Sequence, residues 1–335
     1  MNTTSWLPVA LLGAALSGSG SGTGKSDPAH VPLSPRATSA NANAVAVPPA
    51  HSPGPAVEPA NPIASFTPPP DADMPGGPEG EVIRQGRDIF VDTPNHAKAY
   101  VGNGLSCSNC HIDAGRLANS SPLWGAYGMY PQYRKKNGHV NTFGERVQGC
   151  FRYSMNGTAP PLDSAEMVAL ETYAWWLSKG APLGVKLKGA GYPMQGVQPP
   201  QPADYRRGEK VYTAQCALCH GADGQGQQVA GRNVFPPLWG AQSFNWGAGM
   251  HELDKAAAFI KANMPFSRGG TLSDQDAVDV AKYMNSHERP QDPRYTGEVA
   301  ATRAKFHDTP MSLYGTEING HMLGTPSSPA KAQEK

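Results

Sequence analysis

Apolar positions fall into two blocks with helical spacing, and each block closes on an amphipathic segment. In the first, Asp163-Ser164-Ala165-Glu166 reads as a capping box, and Met167, Leu170, Tyr173, Ala174 and Leu177 follow on one side of the helix it opens. In the second, Ser273-Asp274-Gln275-Asp276 opens a helix carrying Val280, Ala281 and Met284. The blocks also begin alike. Gln85-Gly86-Arg87-Asp88-Ile89-Phe90 matches Arg207-Gly208-Glu209-Lys210-Val211-Tyr212, a Gly followed four residues later by an aromatic. Between these ends, Pro122-Leu123-Trp124-Gly125-Ala126 recurs as Pro237-Leu238-Trp239-Gly240-Ala241. Repeats in matching order indicate duplication of one unit, so two fused, mainly α domains are expected rather than a solenoid. Trp175 and Trp176 end the first closing helix and should pack against the first helix of that block.

The regions outside the blocks have a different composition. Residues 17–78 are Pro, Ala, Ser, Gly and Asn with very few large apolar side chains, which predicts a disordered spacer. Before them, residues 6–16 form an apolar run like the h-region of an export signal, although no Lys or Arg precedes it. The run is too short for a membrane-spanning helix. The expected organisation is a signal-like segment (1–16), spacer (17–78), first domain (79–179), Gly/Pro-rich linker (180–202), second domain (203–290) and tail (291–335). The tail lacks periodicity and should lie over the surface, with His307 and His321 as surface residues. A net charge of +1 over 335 residues gives no reason to expect nucleic acid or a membrane surface as partner.

The chemistry sits in a signature that occurs twice: Cys107-Ser108-Asn109-Cys110-His111 and Cys216-Ala217-Leu218-Cys219-His220. Cys-x-x-Cys-His is the attachment pattern for haem c, two thiols taking the vinyl groups and the His becoming an iron ligand. A structural zinc site usually has its Cys pairs closer in sequence, and dithiol redox chemistry needs no His after each pair. The chain therefore reads as a dihaem cytochrome with two class I cytochrome c-like domains and a periplasmic location. The first domain carries an insertion, residues 96–106, ahead of its motif. Of five Cys, haem takes four and leaves Cys150.

The sixth iron ligand separates a carrier from an enzyme. Met264-Pro265 lies 44 residues after His220, where small cytochromes c place a distal Met. In the first domain Met155 lies the same 44 residues after His111, and Cys150 lies five residues earlier. Spacing alone favours Met155. The segment from Glu145 to Gly157, together with Tyr130-Pro131-Gln132-Tyr133-Arg134, Val140-Asn141-Thr142 and Pro160-Pro161-Leu162-Asp163-Ser164, resembles the bacterial dihaem thiosulfate dehydrogenases. That resemblance covers most of residues 79–290. It implies Cys150 as the axial ligand of a catalytic haem, oxidation of two thiosulfates to tetrathionate, and an exit haem ligated by His220 and Met264. The electrons would pass to a soluble or membrane-associated acceptor such as a cytochrome c. Some relatives place a Lys beside the distal Met, whereas Asn263 stands here, so a Lys/Met ligand switch does not carry over.

Joining two dianions calls for fixed cations, and the planar fork of Arg can bind two oxyanion oxygens at once. Arg146 lies one helical turn before Cys150, so the two share a face if that stretch is helical. Arg134 is the second candidate, followed by Arg116 and Arg152; any of them can alternatively bind a haem propionate. Two other classes remain open at this stage. A non-catalytic carrier would use Met155 as ligand, and a thiosulfate-conjugating sulfur-oxidation cytochrome would pass the sulfur to a partner's thiol.

Overall fold

The computed structural model describes residues 66–229 and 231–325. The signal-like run and spacer residues 17–65 lie outside the described residues. Residues 66–78, expected as disordered spacer, instead pack on the first domain, with Phe66 against Trp124 and Asp71 paired with Arg87 and Arg116. The longer helices among those described are α1 (Gly77–Val91), α2 (Phe143–Tyr153), α3 (Ala165–Leu177), α4 (Tyr205–Gln215), α5 (Leu253–Asn263), α6 (Asp274–Asn285) and α7 (Val299–Phe306). Short antiparallel hairpins complete the fold: β1 (Gln132–Arg134) with β2 (His139–Asn141), β3 (Gln227–Val229) with β4 (Arg232–Phe235), and β5 (Glu317–Ile318) with β6 (His321–Met322). The chain is mainly helical.

The matched glycines explain why both blocks start alike. In each half the first helix packs across the closing helix, α1 on α3 and α4 on α6. A Cβ on Gly86 would stand 2.0 Å from the Ala169 carbonyl oxygen, and one on Gly208 would stand 2.0 Å from that of Asp279. Only the absence of a side chain permits these crossings. The aromatic one turn on then fills the core, Phe90 being 4% exposed and Tyr212 2%. Gly86→Ala should therefore cost about 1–3 kcal/mol, the usual range for forcing an extra carbon into packed structure. Gly196→Ala, where a Cβ meets nothing within 4 Å, should be near neutral. Denaturant unfolding of both variants would check this; equal midpoints would mean the crossing is not tight.

The closing helices start where the sequence places them. Ser164 caps α3 by accepting from the Met167 N–H, and Ser273 caps α6 by accepting from that of Asp276. Met167, Leu170, Tyr173, Ala174 and Leu177 are all buried, as is Trp176, while Trp175 remains 37% exposed. One apolar core runs through both halves, and buried asparagines fasten the halves together. Asn103 Nδ2 donates to Ser243 O (3.0 Å), Asn245 Nδ2 to Arg152 O (2.9 Å) and Asn263 Nδ2 to Asn119 O (3.1 Å). Asn263, beside Met264, is thus a bolt between halves.

Two segments are more integrated than their composition predicts. Residues 180–202 contain no long helix but bridge the halves. On the first, Gly184 N–H bonds Gly128 O (2.9 Å) and Gly189 O accepts from Asn119 N–H (2.7 Å). On the second, Gln198 N–H donates to Asp274 Oδ2 (3.0 Å) and Gln201 N–H to Gln275 Oε1 (3.0 Å). Residues 291–325 form α7 and a small core of their own in which Trp246, Leu313, Tyr314 and Leu323 meet. His307 is fully buried and not a surface residue. Its Nε2 faces Asp292 Oδ2 at 3.0 Å, its Nδ1 faces His251 Nε2 at 3.2 Å, and its ring stacks on Tyr314. His321 is exposed and lies 3.1 Å from Glu288.

Candidate active site

Each Cys-x-x-Cys-His segment lines a cavity. The first, about 390 Å³, takes Cys107, Cys110 and His111 into its wall together with Arg134, Arg146, Cys150 and Met155. The second, about 450 Å³, is lined by Cys216, Cys219, His220 and Met264. Leu105, Ser106, Cys110, Phe244 and Met250 line both, so the cavities are neighbours across a single shared wall.

The donor sets fit haem c. His111 Nδ1 bonds the Ser121 carbonyl at 2.7 Å, and His220 Nδ1 bonds that of Pro236 at 2.9 Å. A backbone carbonyl holds the proton on Nδ1, which leaves the Nε2 lone pair for a metal and fixes the ring orientation. Both carbonyls lie just before the repeated Pro-Leu-Trp-Gly-Ala segments, so the duplication copies the support of the ligand as well as the ligand.

Cys150 is carried by α2, and the sequence starts that helix firmly. Thr142 Oγ1 accepts from the Glu145 N–H (3.1 Å) while Glu145 Oε2 accepts from the Thr142 N–H (2.7 Å), a reciprocal capping box. One turn in, Arg146 Nη1 donates to Cys150 Sγ at 3.0 Å. Burial pushes the Cys150 thiol up, but the Arg146 guanidinium and then His111 outweigh it and bring its pKa down to about 6. The thiolate in turn raises Arg146. Arg146 therefore favours the thiolate form of Cys150, the reactive form of sulfur.

The other candidates separate. Arg134 reaches the same cavity from β1, with Nη1 3.3 Å from Gln132 Oε1. Arg116 faces elsewhere, bonding Tyr173 Oη (2.9 Å) and Pro69 O (3.2 Å) and pairing with Asp71. Arg152 is exposed and outside the cavity wall. Met155 is 3% exposed and lines the cavity from the end of α2. Two cations escaped notice in the sequence. Lys186 lines the first cavity from the linker. Lys136, in the β1–β2 turn, places Nζ on Gly247 O and 3.6 Å over the Tyr153 ring. Its burial, then Arg294 and Arg146, bring its pKa down to about 7. A Lys-Lys pair in a polar turn carries no signal of such a role.

Comparison with known proteins bears on what this site does. The family described as "SoxA/TsdA, cytochrome c domain" matches residues 95–183, and "Cytochrome C oxidase, cbb3-type, subunit III" matches residues 203–284. Over 266 residues the chain is 59% identical to a thiosulfate dehydrogenase of Thiomonas intermedia (strain K12), covering 79% of this chain and 84% of that one. The chain belongs to the thiosulfate dehydrogenase family. A second member, from Stutzerimonas stutzeri (strain A1501), is 57% identical over 77% of this chain and 85% of its own. The solved thiosulfate dehydrogenase of Marichromatium purpuratum in its as-isolated form superposes with a TM-score of 0.75 at 48% identity, covering 78% of this chain. This chain spans 58% of that longer one. As a member of the thiosulfate dehydrogenase family, the protein is a c-type cytochrome, and its mainly helical halves agree with that.

Proposed function

We propose that the protein oxidises two thiosulfate ions to tetrathionate at Cys150 and passes the two electrons through the second cavity to an external acceptor. The observation that carries this reading is the Cys150 sulfur, held 3.0 Å from the Arg146 guanidinium in a cavity whose wall also holds His111. In this reading Cys107 and Cys110 would attach one haem c, and His111 and Cys150 would hold its iron. Cys216 and Cys219 would attach the other, and His220 and Met264 would hold its iron. Bound haem c supplies a one-electron acceptor in each cavity.

The side chains do the rest. The Cys150 sulfur bonds the sulfane sulfur of one thiosulfate, forming Cys150–S–S–SO3⁻ as two electrons depart. A second thiosulfate then attacks this adduct in an exchange like that of thiol and disulfide, releasing tetrathionate and restoring the thiolate. Charge and atoms balance, since two thiosulfate dianions become one tetrathionate dianion and two electrons. Arg146 steadies the Cys150 end of the adduct, and Arg134 and Lys186 offset the charge of the incoming dianion. The shared wall of Phe244, Met250, Leu105 and Cys110 keeps the electron path between cavities short.

The domains read as 79–179 and 203–290, joined by 180–202, with the acceptor meeting the second half. Covalent haem attachment, in this reading, supports a periplasmic location. No helix among the described residues is long and apolar enough to cross a membrane. With purified protein and a one-electron acceptor, one tetrathionate should appear per two thiosulfates consumed and two acceptors reduced. Thiosulfate ending on a protein thiol, with no tetrathionate, would instead identify a conjugating cytochrome.

Two further outcomes follow from the ligand sets. Pyridine haemochrome assay should give two haems per chain that resist acid–acetone extraction; one haem, or extractable haem, would contradict the twofold attachment. Met264→Ala should lower the potential of the second haem and slow acceptor reduction, because a thioether ligand stabilises ferrous iron. An unchanged potential and spectrum would leave Met264 as a packing residue only.

A further inference from the structure

Arg289 lies behind the second cavity and is only 4% exposed. Its Nη1 donates to Leu238 O (3.3 Å), and its Nη2 donates to Met284 O (3.3 Å) and Asn285 Oδ1 (2.9 Å). The guanidinium carbon stands 4.3 Å from the Phe244 ring centre and 5.1 Å from that of Trp246. Leu238, Met284 and Phe244 all line the second cavity, and Phe244 lines the first as well. Arg289 Nε is buried with no hydrogen-bond partner.

The acids nearby are engaged elsewhere. Glu288 accepts from Trp246 Nε1 (3.1 Å) and the Gly324 N–H (2.6 Å) and lies beside His321. Asp292 is held by Arg294 (2.7 Å) and His307 (3.0 Å). Neither carboxylate forms an ion pair with Arg289. Burial pulls the Arg289 pKa down to about 9, which leaves it cationic at neutral pH. Behind the second cavity thus stands a buried positive charge that forms no ion pair with a carboxylate among the described residues, an arrangement that folding alone disfavours. A fixed cation in a medium of low dielectric favours any nearby centre in the state with one more electron.

We propose that Arg289 is a fixed charge that raises the reduction potential of the haem attached to Cys216 and Cys219, drawing electrons out of the first cavity. This rests on the reading that the second cavity holds haem c. The effect is directional because two of the residues that Arg289 touches, Leu238 and Met284, line the second cavity and not the first.

Spectroelectrochemical titration of the holoprotein tests it, with Met264→Ala marking which midpoint belongs to the second haem. Wild type, Arg289→Met, Arg289→Gln and Arg289→Lys would be compared at measured haem content. Both neutral variants should lower the second midpoint and move the first less, while Arg289→Lys should stay near wild type. The Gln variant keeps a donor for Asn285 and carries the comparison if the Met variant loses haem. Unshifted midpoints at full haem content would overturn the proposal. So would an equal fall in the Lys and neutral variants, which would assign Arg289 to packing. A wild-type protein with a single haem per chain would instead overturn the underlying reading of the second cavity.

Discussion

Cys150→Ser protein should carry both haems and fold normally, yet form no tetrathionate. Haem attachment draws on the other four Cys, so stoichiometry is expected to survive. What disappears is the sulfur that bonds substrate sulfur. A serine hydroxyl cannot replace it, because the reaction needs a nucleophile ionised near neutrality that forms and exchanges S–S bonds. Cys150→Gly should behave the same way and also removes any residual ligand oxygen. Met155→Leu is the control, because Met155 shares the cavity wall but fills space there in this account. Tetrathionate formation by the three variants decides the matter. Full activity in the Cys150 variants, with loss in Met155→Leu, would show that the spacing from His111 identifies the ligand and that the family resemblance misleads at this point.

Arg146→Ala should fall between these extremes. The guanidinium donates directly to Cys150 Sγ and is the leading charge that lowers its pKa against the effect of burial. A charge-assisted hydrogen bond is worth roughly 1.5–3 kcal/mol, so kcat/KM for thiosulfate should drop by about one to two decades. The sign of the accompanying pH effect is fixed as well. Without Arg146 the thiol pKa rises, so activity should persist only at higher pH than in wild type. Arg134→Ala should cost less, since Arg134 makes no contact with the sulfur and its effect should appear mainly in KM. A pH profile of Arg146→Ala that matches wild type would mean that the arginine serves binding alone.

How much of this could be read from sequence depended on whether a feature leaves a local pattern. The haem motifs, the caps at Ser164 and Ser273, and the pairing of Arg146 with Cys150 are all written within a few adjacent residues. The matched glycines were visible as a repeat, but their reason, a helix crossing over Ala169 and Asp279, exists only in three dimensions. His307 was misread because residues after Pro290 are held by a polar chain through Asp292 and His251, which has no hydrophobic period to detect. Lys186 was missed for a related reason. The 180–202 segment attaches to the first half through backbone hydrogen bonds at Gly184, Gly189 and Gly191, and such bonds leave no mark on side-chain composition. Arg289 gave no signal either, since a lone Arg beside a Glu reads as an ordinary surface pair.

The optical and EPR spectra of the oxidised protein test the central claim most directly, namely that the Cys150 sulfur sits on the first haem while Met264 serves the second. The account predicts two inequivalent low-spin ferric centres. One should show thiolate character that vanishes in Cys150→Ser and persists in Met264→Ala; the other should respond in the opposite way. Two centres both of His/Met type, unaltered by Cys150→Ser, would contradict it.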